Sequence, residues 1–209
     1  MTELIARIIL AYLLGSVSGS LLIGRLRNVD IREQGSGNAG GTNAFRTQGW
    51  LFALGVVIID VGKGLVAARW IAALPLWGVQ AAPGPDVAAM ACGFAAVLGH
   101  CFPVYHGFRG GKGAGTALGA LLVIQPWLIL PMVLVWLITL VLSGYVGLAT
   151  VLAGFSLVPA AWWLGDTALL VFTLVLALFL LFMHRSNVQR LLNGTENRFE
   201  RARLFRRRT

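Results

Sequence analysis

Residues 115 to 183, GTALGALLVIQPWLILPMVLVWLITLVLSGYVGLATVLAGFSLVPAAWWLGDTALLVFTLVLALFLLFM, contain a single charged side chain, Asp166, in 69 residues. A stretch this long and this apolar indicates several helices that cross a lipid bilayer. Breaks at Gln125-Pro126, Ser143-Gly144 and Gly165-Asp166 divide it into four pieces that average roughly 17 residues, close to the roughly 20 that span the hydrocarbon core.

The rest of the chain has the same character. Over 209 residues, 57% are hydrophobic and 12% are charged, and the mean hydropathy is +0.79. Further apolar segments cover residues 4–24, 51–74 and 87–104, and the first lacks a clear cleavage pattern, so we interpret it as a retained span. We predict an all-α polytopic integral membrane bundle, one domain over residues 1–209, with about seven short transmembrane helices. Five spans is the alternative, if 115–183 forms two long helices.

The lysines and arginines predict which side of the membrane each loop faces. Fourteen of the 17 basic residues lie in segment 25–50, in loop 105–114 and in the tail after His184, whereas loop 75–86 has none. Because basic loops stay in the cytosol, we predict an N-terminus outside the cell and a cytosolic C-terminus. Residues 197–209 form a basic cytosolic tail in this interpretation, suited to anionic lipid.

The same basic residues do not predict a nucleic-acid partner, although the net charge is +9. They lie beside apolar spans, where membrane orientation and lipid contact account for them. Cys92 and Cys101 share one apolar stretch, with no CxxC pattern and no series of histidine or acidic ligands nearby. We therefore expect neither a disulfide framework nor a metal or other cofactor.

The first glycine-rich loop, GSGNAGGTN at 35–43, lies between a basic segment and an apolar span. Glycines allow a ligand to approach the backbone closely, neutral side chains offer hydrogen bonds, and a helix N-terminus favours negative charge. A flexible polar loop is the structural alternative. The residues that we predict to bind an anion here are Ser36, Gly37, Asn38, Thr42, Asn43 and Arg46.

The second glycine-rich loop, GFRGGKGAGT at 107–116, resembles a nucleotide-binding P-loop, but Gly113 follows Lys112 where a P-loop has Ser or Thr. No strand is expected ahead of it either. The chemistry that remains is a phosphate site opening the helix near Ala114, and its predicted residues are Gly110, Gly111, Lys112 and Gly113. His100 and His106 flank it and are more typical of packing than of catalysis.

A third polar segment, MHRSNVQRLLNGTENRF at 183–199, follows the last span. His184 and Asn187 are three residues apart, share a helix face at the edge of the bilayer, and are predicted to bind or catalyse. Glu196 is predicted to hold this segment by pairing with an arginine. Within the second span, Asp60 and Lys63 have a spacing that allows mutual neutralisation, which favours a structural pair over a ligand site.

These three segments together resemble the PlsY family of bacterial membrane glycerol-3-phosphate acyltransferases. The runs GSGNAGGTN, GHCFPVYHGFRGGKGAGT and HRSNVQRLLNGTE occur in the family's order among short spans. The likeness extends from GSVSGSLLIGRL at 15–26 to Glu196. Three motifs in the correct order make it specific.

The resemblance implies transfer of a fatty acyl group from acyl phosphate to the 1-hydroxyl of sn-glycerol 3-phosphate. The products would be lysophosphatidic acid and inorganic phosphate, in the first step of phospholipid synthesis, with no metal. It implies a bacterial inner-membrane protein whose active site faces the cytosol, and a transient contact with the soluble enzyme that forms acyl phosphate. Carried over by position, the substrate-binding residues are Ser36, Asn38, Arg46, Lys112, His184 and Asn187, with Glu196 holding the third motif.

The chain also departs from related patterns. Many other glycerolipid acyltransferases carry Asp five residues after a catalytic His, and here those positions hold Tyr105, Gly111 and Gln189. The PlsY family often has Pro where this chain has Ser18 and Ala where it has Gly41. It commonly has serines at Gly147 and Thr150, so Ser143 or Thr150 is the candidate replacement for a contact made by those serines.

A transporter or channel for a phosphorylated metabolite is the rival function, because glycine-broken spans and basic loops also suit an anion pathway. It predicts an inverted repeat and polar groups near the midplane. The sequence has no evident repeat, and its polar groups are predicted to gather at one face.

Overall fold

The computed structural model describes residues 2–76 and 85–199, and every regular element within those ranges is a helix. The prediction of an all-α chain is therefore confirmed for the part of the chain described. The predicted loop 75–86 and the basic tail 197–209 lie largely outside these residues. Contacts divide the chain into two compact units, Met1–Gln125 and Pro126–Thr209.

In its described residues, 2–76 and 85–125, the first unit contains six α-helices. They are α1 (Thr2–Gly15), α2 (Gly19–Leu26), α3 (Gly41–Gln48), α4 (Trp50–Val66), α5 (Pro85–Cys101) and α6 (Ala114–Ile124), and a π-helical turn, Ala67–Ile71, continues α4. Helix α1 packs along α5, and α4 packs along α6. Glycines make both contacts close, since a Cβ on Gly99 would lie 2.8 Å from the Ser16 nitrogen and one on Gly64 would lie 2.9 Å from the Thr116 carbonyl carbon. Small residues allow such backbone approach in membrane bundles.

Up to residue 199, the second unit contains four more α-helices: α7 (Ile129–Ser143), α8 (Val146–Trp163), α9 (Thr167–Met183) and α10 (Arg185–Leu192). Helix α8 packs against both α7 and α9. The predicted breaks in 115–183 fall at the ends of these helices, because Gly144 and Gly165 have φ of 77° and 73° and Pro126 cannot continue α6.

The number of membrane crossings remains a prediction. Among residues 2–76 and 85–199, four helices are long and apolar enough to cross a bilayer, or up to six if two bent pairs are single spans. Helices α1 and α2 bend by 42°, and α9 and α10 by 57°. Helix α6 has only 11 residues. At 1.5 Å per residue it is roughly 16 Å long, about half of the hydrocarbon core. It ends at the predicted break at Gln125-Pro126 and is shorter than the average of roughly 17 residues for the four pieces.

Candidate functional site

The first glycine-rich loop is organised around the buried amide of Asn43, which is 2% exposed. Its Nδ2 donates to the carbonyl oxygens of Ile31, Gln34 and Asn38 at 3.1, 2.9 and 3.0 Å, and its Oδ1 accepts from the Ser36 N–H at 2.9 Å. We predicted that Asn43 contacts substrate. In the structure, all four of these hydrogen bonds are made with backbone groups in or next to the loop. The Asn43 amide therefore stabilises the loop.

The other predicted groups of this loop lie where a ligand can reach them. Ser36, Gly37, Thr42 and Arg46 are exposed, and Asn38 is half-buried. Gly35 and Gly37 have φ of 58° and 71°, which favours glycine. The loop leads into the N-terminus of α3, whose first N–H groups have no carbonyl one turn earlier within the helix. Arg46 lies on the same short helix and adds positive charge.

The second glycine-rich loop caps the C-terminal end of α5 and then leads into α6. The N–H groups of Gly110 and Gly111 donate to the carbonyl oxygens of Cys101 and His100 at 3.2 and 3.1 Å. These two amides were predicted to bind phosphate, and the structure instead uses them to satisfy the carbonyls left over at the helix end. Lys112 and Gly113 come next, with Gly113 at φ 86° as the N-cap of α6. The prediction of an anion site in this loop therefore rests on Lys112 and the N-terminus of α6.

Arg32, which lies just before the first glycine-rich loop, bonds to the segment that forms the second. Its Nη1 donates to the carbonyl oxygens of His106 and Arg109 at 3.1 and 3.2 Å, while its Nε and Nη2 hold Asp30 at 3.0 and 2.7 Å. Both loops therefore lie at the same end of the first unit. In the sequence, Arg32 is only one of the basic residues that predict topology. The short Asp30–Arg32 spacing indicates the ion pair, but no sequence pattern predicts the contacts of Arg32 with His106 and Arg109.

The hydrogen bond from the Arg32 side chain lowers the pKa of Asp30. Because the folded-state pKa lies below its usual value, the ion pair contributes to stability at neutral pH. That contribution is lost as the pH falls through the lowered pKa.

In the second unit, His184 lies at the junction of α9 and α10 and is 5% exposed. Its Nδ1 lies 2.8 Å from the carbonyl oxygen of Leu180. Because a carbonyl can only accept, Nδ1 carries the proton in the neutral ring, and Nε2 is then a hydrogen-bond acceptor. The fold thus fixes a tautomer that can orient a hydroxyl group or accept its proton.

Asn187 and Arg190 of α10 both donate to Glu196. The distances are 2.6 Å from Asn187 Nδ2 to Glu196 Oε1 and 2.7 Å from Arg190 Nε to Glu196 Oε2. The carboxylate therefore holds the segment that follows α10 against this helix. It also orients the Asn187 amide.

The hydroxyl groups of α7 and α8 are engaged locally. Ser143 Oγ donates to Thr139 O at 2.6 Å and accepts from Tyr145 N, so it shapes the α7–α8 turn rather than presenting a free hydroxyl, as its predicted substrate contact would need. Thr150 Oγ1 donates to Val146 O and accepts from Trp136 Nε1. A Cβ on Gly147 would lie 2.8 Å from atoms of Asn187, so a serine there would need Asn187 to move.

Asp60 and Lys63, the pair predicted within the second span, form an ion pair of 3.1 Å in α4. His100 of α5 completes a buried group with them. The predicted site residues thus fall into two sets: the two loops and this buried group in the first unit, and His184, Asn187 and Glu196 in the second.

Known proteins resemble this chain over almost its whole length. The family model described as glycerol-3-phosphate acyltransferase matches residues 5–194. A glycerol-3-phosphate acyltransferase of Chlorobium luteolum is 40% identical, with 95% of this chain and 97% of the relative covered; one of Bacillus subtilis is 42% identical, with 90% and 94% covered. Crystal structures of PlsY, an integral membrane glycerol 3-phosphate acyltransferase, match in the glycerol 3-phosphate form and the lysophosphatidic acid form. Identity is 34% for both, with 94% of this chain and 95% of theirs covered, and the TM-scores are 0.82 and 0.80.

Proposed function

The chain belongs to the PlsY family of integral membrane glycerol-3-phosphate acyltransferases, and we propose that its acyl donor is a fatty acyl phosphate. The observation that carries this proposal is that Arg32, just before the first glycine-rich loop, bonds to the backbone of His106 and Arg109, so that two loops predicted to bind anions lie at one end of the first unit. A reaction between two phosphorylated substrates needs two such sites. An acyl donor without a phosphate next to its carbonyl would leave one of the two sites without a ligand.

The reaction joins the 1-hydroxyl oxygen of glycerol 3-phosphate to the acyl carbon. The bond from that carbon to the phosphate oxygen breaks, and the leaving phosphate takes the electron pair. The hydroxyl proton ends on this phosphate, so the products are lysophosphatidic acid and inorganic phosphate. Because acyl phosphate is already activated, the protein needs mainly to align the reactants and to stabilise the charge that develops on the carbonyl oxygen.

We assign the acyl phosphate to the second glycine-rich loop, where Lys112 and the N-terminus of α6 offer positive charge. The phosphate of glycerol 3-phosphate then binds at the first loop. Arg46 supplies a planar donor pair there, and exposed hydroxyl and amide groups supply neutral hydrogen bonds. The residues assigned to this second phosphate are Ser36, Gly37, Asn38, Thr42 and Arg46.

His184 and Asn187 are assigned to the reacting hydroxyl. The acceptor character of His184 Nε2 suits a hydrogen bond from the glycerol 1-hydroxyl. We propose that the acyl phosphate itself receives the proton and that His184 orients the hydroxyl. Glu196 acts through Asn187 and is a positioning residue.

We further propose that the protein resides in the bacterial inner membrane with both glycine-rich loops in the cytosol. The basic residues of the segments at 25–50 and 105–114 support this orientation. Water-soluble glycerol 3-phosphate would then reach the site from the cytosol. A soluble enzyme that forms acyl phosphate would meet the same face.

The donor is tested with detergent-purified protein, palmitoyl phosphate and radiolabelled glycerol 3-phosphate, in the absence of vesicles. We expect labelled lysophosphatidic acid and one inorganic phosphate per product. Palmitoyl-CoA in place of the acyl phosphate should give no product. Product from palmitoyl-CoA and none from palmitoyl phosphate would overturn the choice of donor. In a second assay the protein is reconstituted into liposomes, and flux of glycerol 3-phosphate without product would favour the transporter.

Replacing His184 separates its two possible roles. His184→Ala removes the acceptor, and we expect kcat/KM to fall about 100-fold. His184→Gln restores a neutral acceptor near the Nε2 position without a base, so it should recover at least about a tenth of wild-type activity if the histidine orients the hydroxyl. Both variants are measured from pH 6 to 9 after gel filtration shows the folded species.

Equal losses in the alanine and glutamine variants would identify His184 as the base instead. A wild-type rate that rises with pH as the His184 imidazole loses its proton would also identify His184 as the base. Unchanged activity in His184→Ala would remove both roles.

A further inference from the structure

A buried polar group lies in the first unit, made of Asp60 and Lys63 of α4 and His100 of α5. Asp60, Lys63 and His100 are only 4%, 4% and 3% exposed. Lys63 Nζ lies 3.1 Å from Asp60 Oδ1, 2.9 Å from His100 Nδ1 and 2.8 Å from the Val17 carbonyl oxygen. An ammonium group has three donors, and three acceptors surround this one.

The Lys63 contacts decide the protonation of His100. An ammonium can only donate, so His100 Nδ1 accepts, and the proton of the neutral ring lies on Nε2. His100 Nδ1 is also 3.4 Å from Asp60 Oδ1. A doubly protonated ring donating to this carboxylate would place two positive charges next to each other in a buried site, which is unfavourable. The group therefore holds a neutral imidazole in one tautomer.

The other edge of the imidazole supports the second glycine-rich loop. A Cβ built on Gly111 would overlap the His100 ring, with the Cε1 atom at 2.8 Å, so the ring lies against the Gly111 backbone. The Gly111 N–H donates to the His100 carbonyl at 3.1 Å. The ring and main chain of His100 thus set the position of the loop immediately before Lys112.

Asp60 fixes the group to the break between α1 and α2. Its Oδ1 accepts from the Gly19 N–H at 3.2 Å, next to the Val17 carbonyl that Lys63 uses. The ion pair is thereby held from two sides. Stability alone does not require charges here, because apolar residues of similar volume often replace a buried ion pair at no cost.

We propose that Asp60 and Lys63 are positioning residues for acyl transfer, which act by holding the His100 ring beneath the second glycine-rich loop. The inference rests on the proposed function, in which that loop binds acyl phosphate. A displaced ring would shift Lys112 and the start of α6, and misplacement of about 1 Å can cost about 100-fold in rate. The expected signature is weaker binding of acyl phosphate, with glycerol 3-phosphate little affected.

The double variant Asp60→Leu/Lys63→Met tests this without leaving an unpaired charge. We expect it to fold with a melting temperature close to that of the wild type. The KM for palmitoyl phosphate should rise about tenfold or more, and the KM for glycerol 3-phosphate should change less than about twofold. If the double variant does not fold, His100→Asn is the second test. It keeps an acceptor for Lys63 but lacks the ring, and it should show the same selective rise in the KM for palmitoyl phosphate.

The double variant Glu3→Gln/Arg7→Met is the matched control. Arg7 is 3% exposed and pairs with the partly buried Glu3 at 3.2 Å, so this change also replaces an ion pair of the first unit without leaving an unpaired charge. The Arg7 side chain bonds to the Ala72 carbonyl oxygen rather than to either loop. Both KM values of this control should stay at the wild-type level. The inference is wrong if both KM values rise equally in the test variants, or if the KM for palmitoyl phosphate stays within twofold of wild type. Failure of the wild type to use palmitoyl phosphate would instead refute the donor assignment.

Discussion

Replacing Gly119 by alanine should prevent α4 and α6 from packing and leave little folded enzyme. A Cβ at this position would overlap the Val61 carbonyl oxygen and would lie 2.8 Å from its carbonyl carbon and 3.0 Å from the Leu65 nitrogen. All three are backbone atoms of α4, so no side chain can turn away to make room. Overpacking of this kind costs about 1–3 kcal/mol or more. The measurements are the yield of monodisperse protein in detergent and its melting temperature.

Gly62→Ala is the matched control for this change. Gly62 lies in α4, and a Cβ added there meets no atom within 4 Å. The same substitution should therefore leave the yield and the acyltransferase rate unchanged and raise helix stability by up to about 1 kcal/mol. Equal melting temperatures for Gly119→Ala and Gly62→Ala would show that the α4–α6 contact is looser than the structure indicates.

Exchanging Asn43 for aspartate should abolish activity by disrupting the first glycine-rich loop. The change keeps the shape of the side chain but replaces the Nδ2 donor with an oxygen, which would face the carbonyl oxygens of Ile31, Gln34 and Asn38. Each buried group left without its partner costs about 1–3 kcal/mol. Because this amide holds the backbone that carries Ser36 and Asn38, we expect kcat/KM to fall at least about 100-fold.

Asn28→Asp makes the same chemical change at an exposed residue. Asn28 has φ of 54°, a conformation that aspartate also tolerates. It should keep wild-type kcat/KM and melting temperature. Activity above about a tenth of wild type in Asn43→Asp would contradict the role assigned to the Asn43 amide.

The breaks in the apolar region were predictable because their causes are local. Pro126 lacks the N–H that would continue α6, and Gly144 and Gly165 adopt the left-handed conformation that ends α7 and α8. The short length of α6 was not predictable from hydropathy. Its 11 residues run from Ala114, directly after Gly113, to Ile124, and the predicted helix start near Ala114 and break at Gln125-Pro126 mark both ends where apolar composition does not.

The roles within the two loops were less predictable. Asn43 lies among residues of the same polar type, and no sequence pattern separates an amide that holds a loop from one that faces a ligand. Gly110 and Gly111 likewise look like the other glycines around Lys112, yet their N–H groups cap α5. In each case the partner is a backbone carbonyl, which every residue carries, so side-chain identity gives no signal.

From residue order alone, the chain is an all-helical membrane protein with three polar motifs in a recognisable order, because hydropathy, helix-ending residues and motif spacing are local properties. Only the tertiary structure shows that Arg32, before the first glycine-rich loop, bonds to the second, that Lys63 Nζ lies 2.9 Å from His100 Nδ1, and that the His100 ring lies against Gly111. These contacts join residues that are far apart in the sequence. They form because helix packing brings α4, α5 and the loops to one end of the first unit, where each donor must find an acceptor away from water.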